Sequence, residues 1–233
     1  MIPTGKLFIV TSALNAKHTT IAPNMRFEQT VEGLETLKIM FPDAITILVD
    51  GSPIKVEEEK IKILSKYVHI VADFSSDKDI AQFANIGKKS EAETVLLIKT
   101  LLLFKQDPGL AKLLHSIDRI FKFSGRTNLL NTFDIEKHNH YGKFVFKKRI
   151  PTWLIDKRKQ FATDLLITRF YSFCPSLIDE YIQILQKNMG LLVQTQIDTE
   201  HAHFVNINKQ YLVELDNIHC QGIMGGDGST EIY

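Results

Sequence analysis

The sequence predicts an α/β fold, a single domain with a central, mostly parallel sheet flanked by helices on both faces. Two observations carry this expectation. Between residues 7 and 125, strand-like apolar runs alternate with helical ones in the order β-α-β-α-β-α-β. After about residue 135 the pattern changes, yet no Pro/Gly/Ser-rich linker intervenes, so residues 1–233 read as one unit.

"LFIVTSA" (7–13) is apolar and β-branched between polar flanks, which marks a buried strand. After the polar loop "LNAKHTTIAPNMR", the stretch 26–41 sets Phe27, Val31, Leu34, Leu37 and Met40 on one side of a helix. Pro42 stops it. "AITILVDGSP" (44–53) is a strand running into a turn, 57–67 a helix and "VHIVAD" (68–73) a third strand. The apolar stretch 90–104 is a helix, with Ser90 and Glu93 spaced as a capping box. "IDRIFKFSG" (117–125) is the fourth strand. Further on, 143–149 and 165–173 read as strands and 174–192 as a helix beginning near Pro175. The closing "GIMGGDGSTEIY" is strand-rich with two glycine-rich turns, compatible with a loop over a site.

Composition narrows the function. Of the 233 residues, 44% are hydrophobic and 24% charged, and the net charge is +1. That balance gives no electrostatic footprint for nucleic acid, so any anion site must be local. The apolar runs near the N-terminus and at 94–104 are too short to span a bilayer, and no signal-peptide pattern is present. Cys174 and Cys220 are far apart and form no metal-type pair. Together these features lead to the expectation of a cytoplasmic protein without a transmembrane segment.

Four stretches could carry chemistry. In "ILVDGSP" a strand ends in Asp50-Gly51-Ser52, which puts a carboxylate and a tight turn at the edge where parallel sheets bind ligands. In "GKKSEAET" (87–94) two lysines precede a helix N-terminus, a place suited to anions. "RIFKFSGRT" (119–127) delivers Arg126, a planar fork for phosphate or carboxylate, just after a central strand. In "DTEHAHF" (198–204), His201 and His203 with a carboxylate could bind a metal, or Glu200 could act as a general base tuned by a histidine. "HNH" (138–140) lies in a polar loop without the context of a nuclease motif.

Taken in order, these stretches resemble glycosyltransferases of the GT-A fold, especially the large inverting group. "IVTSALN" stands where that family has its nucleotide-binding loop, and "LVDGS" where it has a Val-Asp-Asp-Gly-Ser-like strand end, with Val49 in place of the first Asp. "GKKSEAE" and "TEHAHF" resemble its lysine-rich loop and the late helix that carries its acid-base residue. "SGR" after the fourth strand also resembles uncharacterised glycosyltransferase-like proteins of phages and large DNA viruses, which would place the chain in a host cytoplasm.

The resemblance implies transfer of a sugar from a nucleotide-sugar donor to a glycan or other hydroxyl acceptor, with inversion. It implies a nucleotide-binding half (1–135) and an acceptor-side half (136–233). Ser12, Arg26, Asp50, Gly51 and Ser52 would line the nucleotide pocket; Lys88, Ser124, Gly125 and Arg126 would face the diphosphate; Glu200, with His201, would take the acceptor proton. Where the family places a metal-binding Asp-x-Asp, this chain has Ser124-Gly125-Arg126. No cofactor is firmly implied: a guanidinium could replace the metal, with Mg or Mn beside Asp134 as the fallback. Two alternatives remain: a non-catalytic nucleotide- or sugar-binding protein on the same fold, and a nucleotidyltransferase, which lacks its glycine-rich loop in "TSALNAK".

Overall fold

The computed structural model describes residues 5–223 and 230–233. In chain order the elements are β1 (Gly5–Ser12), α1 (Pro23–Met40), β2 (Ile45–Asp50), α2 (Glu58–Leu64), β3 (Ile70–Asp73), α3 (Lys78–Ala84), α4 (Lys89–Gln106), α5 (Pro108–Leu114), β4 (Ile117–Ser124) and β5 (Thr127–Leu129). There follow β6 (Phe144–Lys147), β7 (Ile150–Pro151), β8 (Asp164–Leu165), β9 (Phe170–Phe173), α6 (Ile178–Thr195), α7 (Thr199–Asn206), β10 (Leu212–Leu215), β11 (Cys220–Ile223) and β12 (Thr230–Ile232). The glycine-rich stretch 224–229, expected to form a loop over the site, lies outside the described residues.

Seven strands form the central sheet in the order β10-β6-β9-β4-β1-β2-β3. β1 pairs in parallel with β2 and β4, and β2 with β3. β9 alone runs against its neighbours β4 and β6, and β10 returns parallel to β6. The expected mostly parallel α/β domain is therefore the observed one. Alternation along β1 builds two cores: Leu7 and Ile9 pack with Leu97 of α4 and Ile182 of α6, whereas Phe8 and Val10 pack with Leu34 and Leu37 of α1.

The chain leaves β1 through α1 toward β2 and β3, then crosses back to place β4 on the other side of β1. This reversal opens a crevice at the carboxyl ends of β1 and β4. Two glycines let α1 close onto it. A Cβ on Gly33 would lie 2.7 Å from the Thr127 carbonyl oxygen, and one on Gly125 would lie 3.2 Å from the Thr30 side chain. The missing Cβ at Gly125 thus leaves room for the Thr30 side chain.

Two local expectations change, and two short helices appear that were not expected. The capping box does not form: Lys88 occupies the N-cap of α4 without a side-chain cap, and Ser90 and Glu93 lie inside the helix. The strand expected over 165–173 is split into β8 and β9, with Thr168 and Arg169 between them. The short helices α3 and α5 start from Asp77 and Asp107, whose carboxylates accept backbone N–H groups as N-caps. Among the described residues no helix is long and apolar enough to cross a membrane.

Candidate functional site

A cavity of about 310 Å³ occupies the crevice. Its walls come from the end of β1 (Thr11, Ser12), the following loop, Arg26 of α1, and Gly51 after β2. Lys89, Ser90 and Glu93 of α4 and Ser124, Gly125 and Arg126 after β4 complete one side. Thr168 and Arg169 close another, with Thr199 and Glu200 of α7. The fold thus gathers residues from seven separate sequence stretches around one space.

Asp50 organises the loop beneath this space without facing it. It is fully buried. Its Oδ2 accepts the Ser12 hydroxyl (2.7 Å) and the Leu14 N–H (2.9 Å), and its Oδ1 accepts the Ser52 N–H (2.9 Å). Ser52, also buried, accepts the Asn15 N–H at 2.8 Å. The expected nucleoside contacts of Asp50 and Ser52 are therefore replaced by internal ones. Ser12 and Gly51 do line the cavity.

The cavity is strongly cationic. Lys17, Arg26, Lys89, Arg126 and Arg169 line it, against two carboxylates, Glu93 and Glu200. Arg26 is held by its Nε–H, which donates to the Ala13 carbonyl at 2.8 Å. Burial, followed by the nearby charges of Arg26 and Arg169, pushes the Arg126 guanidinium down to about 10. Burial, followed by the charges of Arg26 and Arg126, also lowers Lys89. Arg126 Nη1 is buried and makes no hydrogen bond among the described residues. Five cations against two carboxylates, one held by Lys122 and the other pushed up to about 7, make a site for a polyanion. Lys88, expected to face the diphosphate, instead pairs with Glu91 at 3.2 Å and lines an adjoining groove; Lys89 takes the position on the cavity.

Glu93, expected as the far end of a capping box, lies inside α4 and faces the cavity instead. Lys122, 2% exposed in the middle of β4, reaches it at 2.6 Å, and the Thr11 hydroxyl donates to it at 3.0 Å. Lys122 also donates to the Thr168 carbonyl (2.8 Å) and Ser124 Oγ (2.9 Å). Burial pushes the Glu93 carboxyl up, but the Lys122 ammonium and the Thr11 hydroxyl outweigh it and hold the group ionised, below its ordinary value. The one available signal was Lys122 itself, a lysine in an otherwise apolar central strand.

Glu200 is the opposite case. It sits in the first turn of α7, accepts the Thr168 hydroxyl at 2.7 Å, and is pushed up to about 7 by burial and then by the Asp198 carboxylate. Two carboxyl groups in one cavity thus differ in protonation near neutrality, the pattern that divides acid-base roles.

His201 is turned away from the cavity. It is fully buried, with Nδ1 2.5 Å from Asp198 Oδ1 and Nε2 2.7 Å from the Thr152 hydroxyl. His203 points elsewhere again, 2.7 Å from the Thr199 carbonyl and 3.1 Å from the Tyr181 hydroxyl, and burial pushes it down to about 4. The His-x-His metal reading and the catalytic placement of His201 both give way to structural roles. Of the "HNH" stretch, His138 is buried against Phe121, Phe133 and Phe170 and pushed down to about 3 by burial.

The fold is that of the GT-A glycosyltransferases, which several solved structures share. The mannosyltransferase Ktr4p from S. cerevisiae superposes with a TM-score of 0.55 at 10% identity, over 91% of this chain and 69% of that one. Core-mannan synthase A from Aspergillus fumigatus, in an Mn/GDP form, gives 0.50 at 10%, over 91% and 73%. The galactosyltransferase LgtC, in complex with donor and acceptor sugar analogues, gives 0.53 at 8%, over 89% and 72%. No family model and no curated protein matches the chain in sequence.

A divalent ion, suggested by the Mn/GDP form, can be tested against the donors present. Among the described residues no three His, Cys, Asp or Glu groups come together as a ligand set. The segment after β4 offers a guanidinium, and Glu93 is committed to Lys122. Asp134 is exposed, caps a 3-10 turn through the Glu136 N–H, and does not line the cavity. These residues do not fit a divalent metal.

Proposed function

We propose that the chain is a glycosyltransferase that moves a sugar from a nucleoside-diphosphate donor to a hydroxyl acceptor. One observation carries the reading: at the switch point of a GT-A fold, a cluster of cations and a carboxyl group tuned to about 7 share a single cavity. Arg126, Arg26 and Lys89 bind the diphosphate and neutralise the charge that develops on it as the sugar departs. That role belongs to fixed cations here, and transfer is metal-independent. Ser12 and Gly51 border the nucleoside, and Asp50 and Ser52 hold the loop that shapes its pocket. Glu200, ionised above neutrality, removes the acceptor proton so that the hydroxyl oxygen attacks the anomeric carbon with inversion. Glu93, kept ionised by Lys122, offers a fixed acceptor to donor hydroxyls.

Turnover of a nucleotide-sugar panel, before and after EDTA and with Mn²⁺ added back, tests this reading. Metal-independent transfer supports it. Binding without turnover would favour the second reading, a non-catalytic nucleotide- or sugar-binding protein; that reading draws on the absence of an Asp-x-Asp after β4. Activity lost with EDTA and regained with Mn²⁺ would overturn the role given to Arg126.

A further inference from the structure

We infer that the groove beside the cavity, floored by Trp153, is a subsite for the sugar ring of the acceptor; this rests on the transferase reading above. The groove has a volume of about 520 Å³ and shares the lining residues Gly87, Lys89 and Ser90 with the cavity, so the two adjoin. Trp153 is the chain's single tryptophan and is 54% exposed. An indole in water is ordinarily unfavourable, and an isolated one would swing freely.

This one is fixed. Its Nε1–H donates to Asp198 Oδ2 at 3.2 Å, and its ring meets His201 edge-on at 5.3 Å between centroids. Thr152, next to it, is tied to His201 at 2.7 Å and to the Thr163 carbonyl at 3.0 Å. His201 and Asp198 thus lock the tryptophan onto α7, the helix that carries Glu200. The arrangement also accounts for a buried histidine one residue from the candidate base.

An exposed, immobilised aromatic surface with polar groups around it suits a hexopyranose: the apolar C–H face stacks on the ring while hydroxyls bond at the rim. The charged lining mixes Lys88, Lys89 and Arg158 with Glu91 and Asp198, and Lys88 is already paired with Glu91, so the groove offers both donors and acceptors to the hydroxyls of a polyol. Lys89 and Ser90 line both spaces, which sets the groove beside the cavity that holds Glu200.

A single tryptophan makes the test direct. In the full-length wild-type protein, lactose, maltose, mannobiose and xylobiose are titrated while the lone indole N–H resonance is followed. At least one should move that signal saturably. UDP and GDP binding is measured separately by calorimetry. Trp153→Ala should raise acceptor KM about tenfold, the loss of one aromatic contact, with donor affinity unchanged. Trp153→Phe should recover part of the loss. If nucleotides bind but none of the four sugars moves the indole, the groove assignment falls while the transferase reading stands. Sugar binding without nucleotide binding leaves the groove and removes the transferase reading. An unchanged acceptor KM in a folded Trp153→Ala protein also overturns the assignment.

Discussion

Replacing Glu200 by Gln should make the protein more stable at alkaline pH while removing transfer, and the first effect can be measured before any substrate is known. Burial and Asp198 raise this carboxyl from the ordinary 4.5 to about 7. The native state therefore keeps a proton that the unfolded chain releases between those values. Its contribution is fully present below about pH 4.5 and is lost as pH rises through about 7. At 1.36 kcal/mol per pK unit the complete loss is roughly 3 kcal/mol. Glu200 opens on the cavity, so solvent reduces that to about 2 kcal/mol. Gln keeps the oxygen that accepts the Thr168 hydroxyl and removes the charge. For a chain of this length, about 2 kcal/mol is a gain of roughly 4–8 °C in Tm. Thermal unfolding from pH 4 to pH 9 reads it out: the variant and wild type should coincide near pH 4 and separate above pH 7. Equal Tm values at pH 8.5 would show that Glu200 carries no raised carboxyl, and its role as base would fall with it. In activity, wild-type kcat/KM should rise about tenfold per pH unit below 7 and level off above, and Gln should cost ~10²–10⁴ in turnover.

Arg126→Ala should weaken UDP or GDP binding by about 10–100-fold, the range for charge-assisted hydrogen bonds. Stability should hold or rise as repulsion from Arg26 and Arg169 is relieved; calorimetry and thermal unfolding together decide it, and Arg126→Lys should recover only part of the affinity because an ammonium lacks the bidentate fork. Lys122→Met should destabilise by about 3 kcal/mol, since it strands Glu93 beside the core, at the lower end for a broken buried pair because Glu93 opens on the cavity. Adding Glu93→Leu should restore much of the loss in urea titrations; no rescue would mean that the pair is not the cause. Asp50→Ala should cost about 2–4 kcal/mol through its three lost hydrogen bonds and weaken nucleotide binding only through the loosened loop. Full stability with lost binding would instead restore Asp50 as a direct ligand.

The sheet was legible because its signal is local: apolar β-branched runs such as 7–10 and 45–49 and the helical periodicity between them need no knowledge of partners. The site was legible only in part. Ser12, Arg26, Gly51, Arg126 and Glu200 could be assigned to a ligand edge because each follows a strand or opens a helix. What failed was orientation. Lys88 and Lys89 are adjacent, and only the start of α4 decides which faces the cavity. His201 and His203 would share a side in a strand, but in α7 residues two apart do not face each other, and the histidines take separate partners. Glu93 was hidden by its own motif, because Ser-x-x-Glu before an apolar run reads as a cap until the N-cap is seen to lie two residues earlier, at Lys88. Its partner Lys122 lies 29 positions away, a pairing set by tertiary packing.

The same packing explains why an arginine follows β4. A divalent ion needs converging carboxylates, each of which would be repelled by the other in an empty site. In the proposed reading this cavity inverts the arrangement: Arg26, Lys89 and Arg126, which repel one another, take the place of the metal, and the ligand supplies the balancing anion. Two consequences follow from the charges alone. Binding of a nucleoside diphosphate should stabilise the fold by more than its contacts suggest, because it relieves repulsion already present in the free protein. Affinity should also fall as salt rises, since part of it comes from several cations acting on one ligand across a few ångströms to a Debye length. A metal-bridged diphosphate would behave differently, its affinity following free metal more steeply than ionic strength. Titrating UDP or GDP at fixed EDTA across a salt series therefore separates the two designs, and an affinity indifferent to salt would contradict the cationic one.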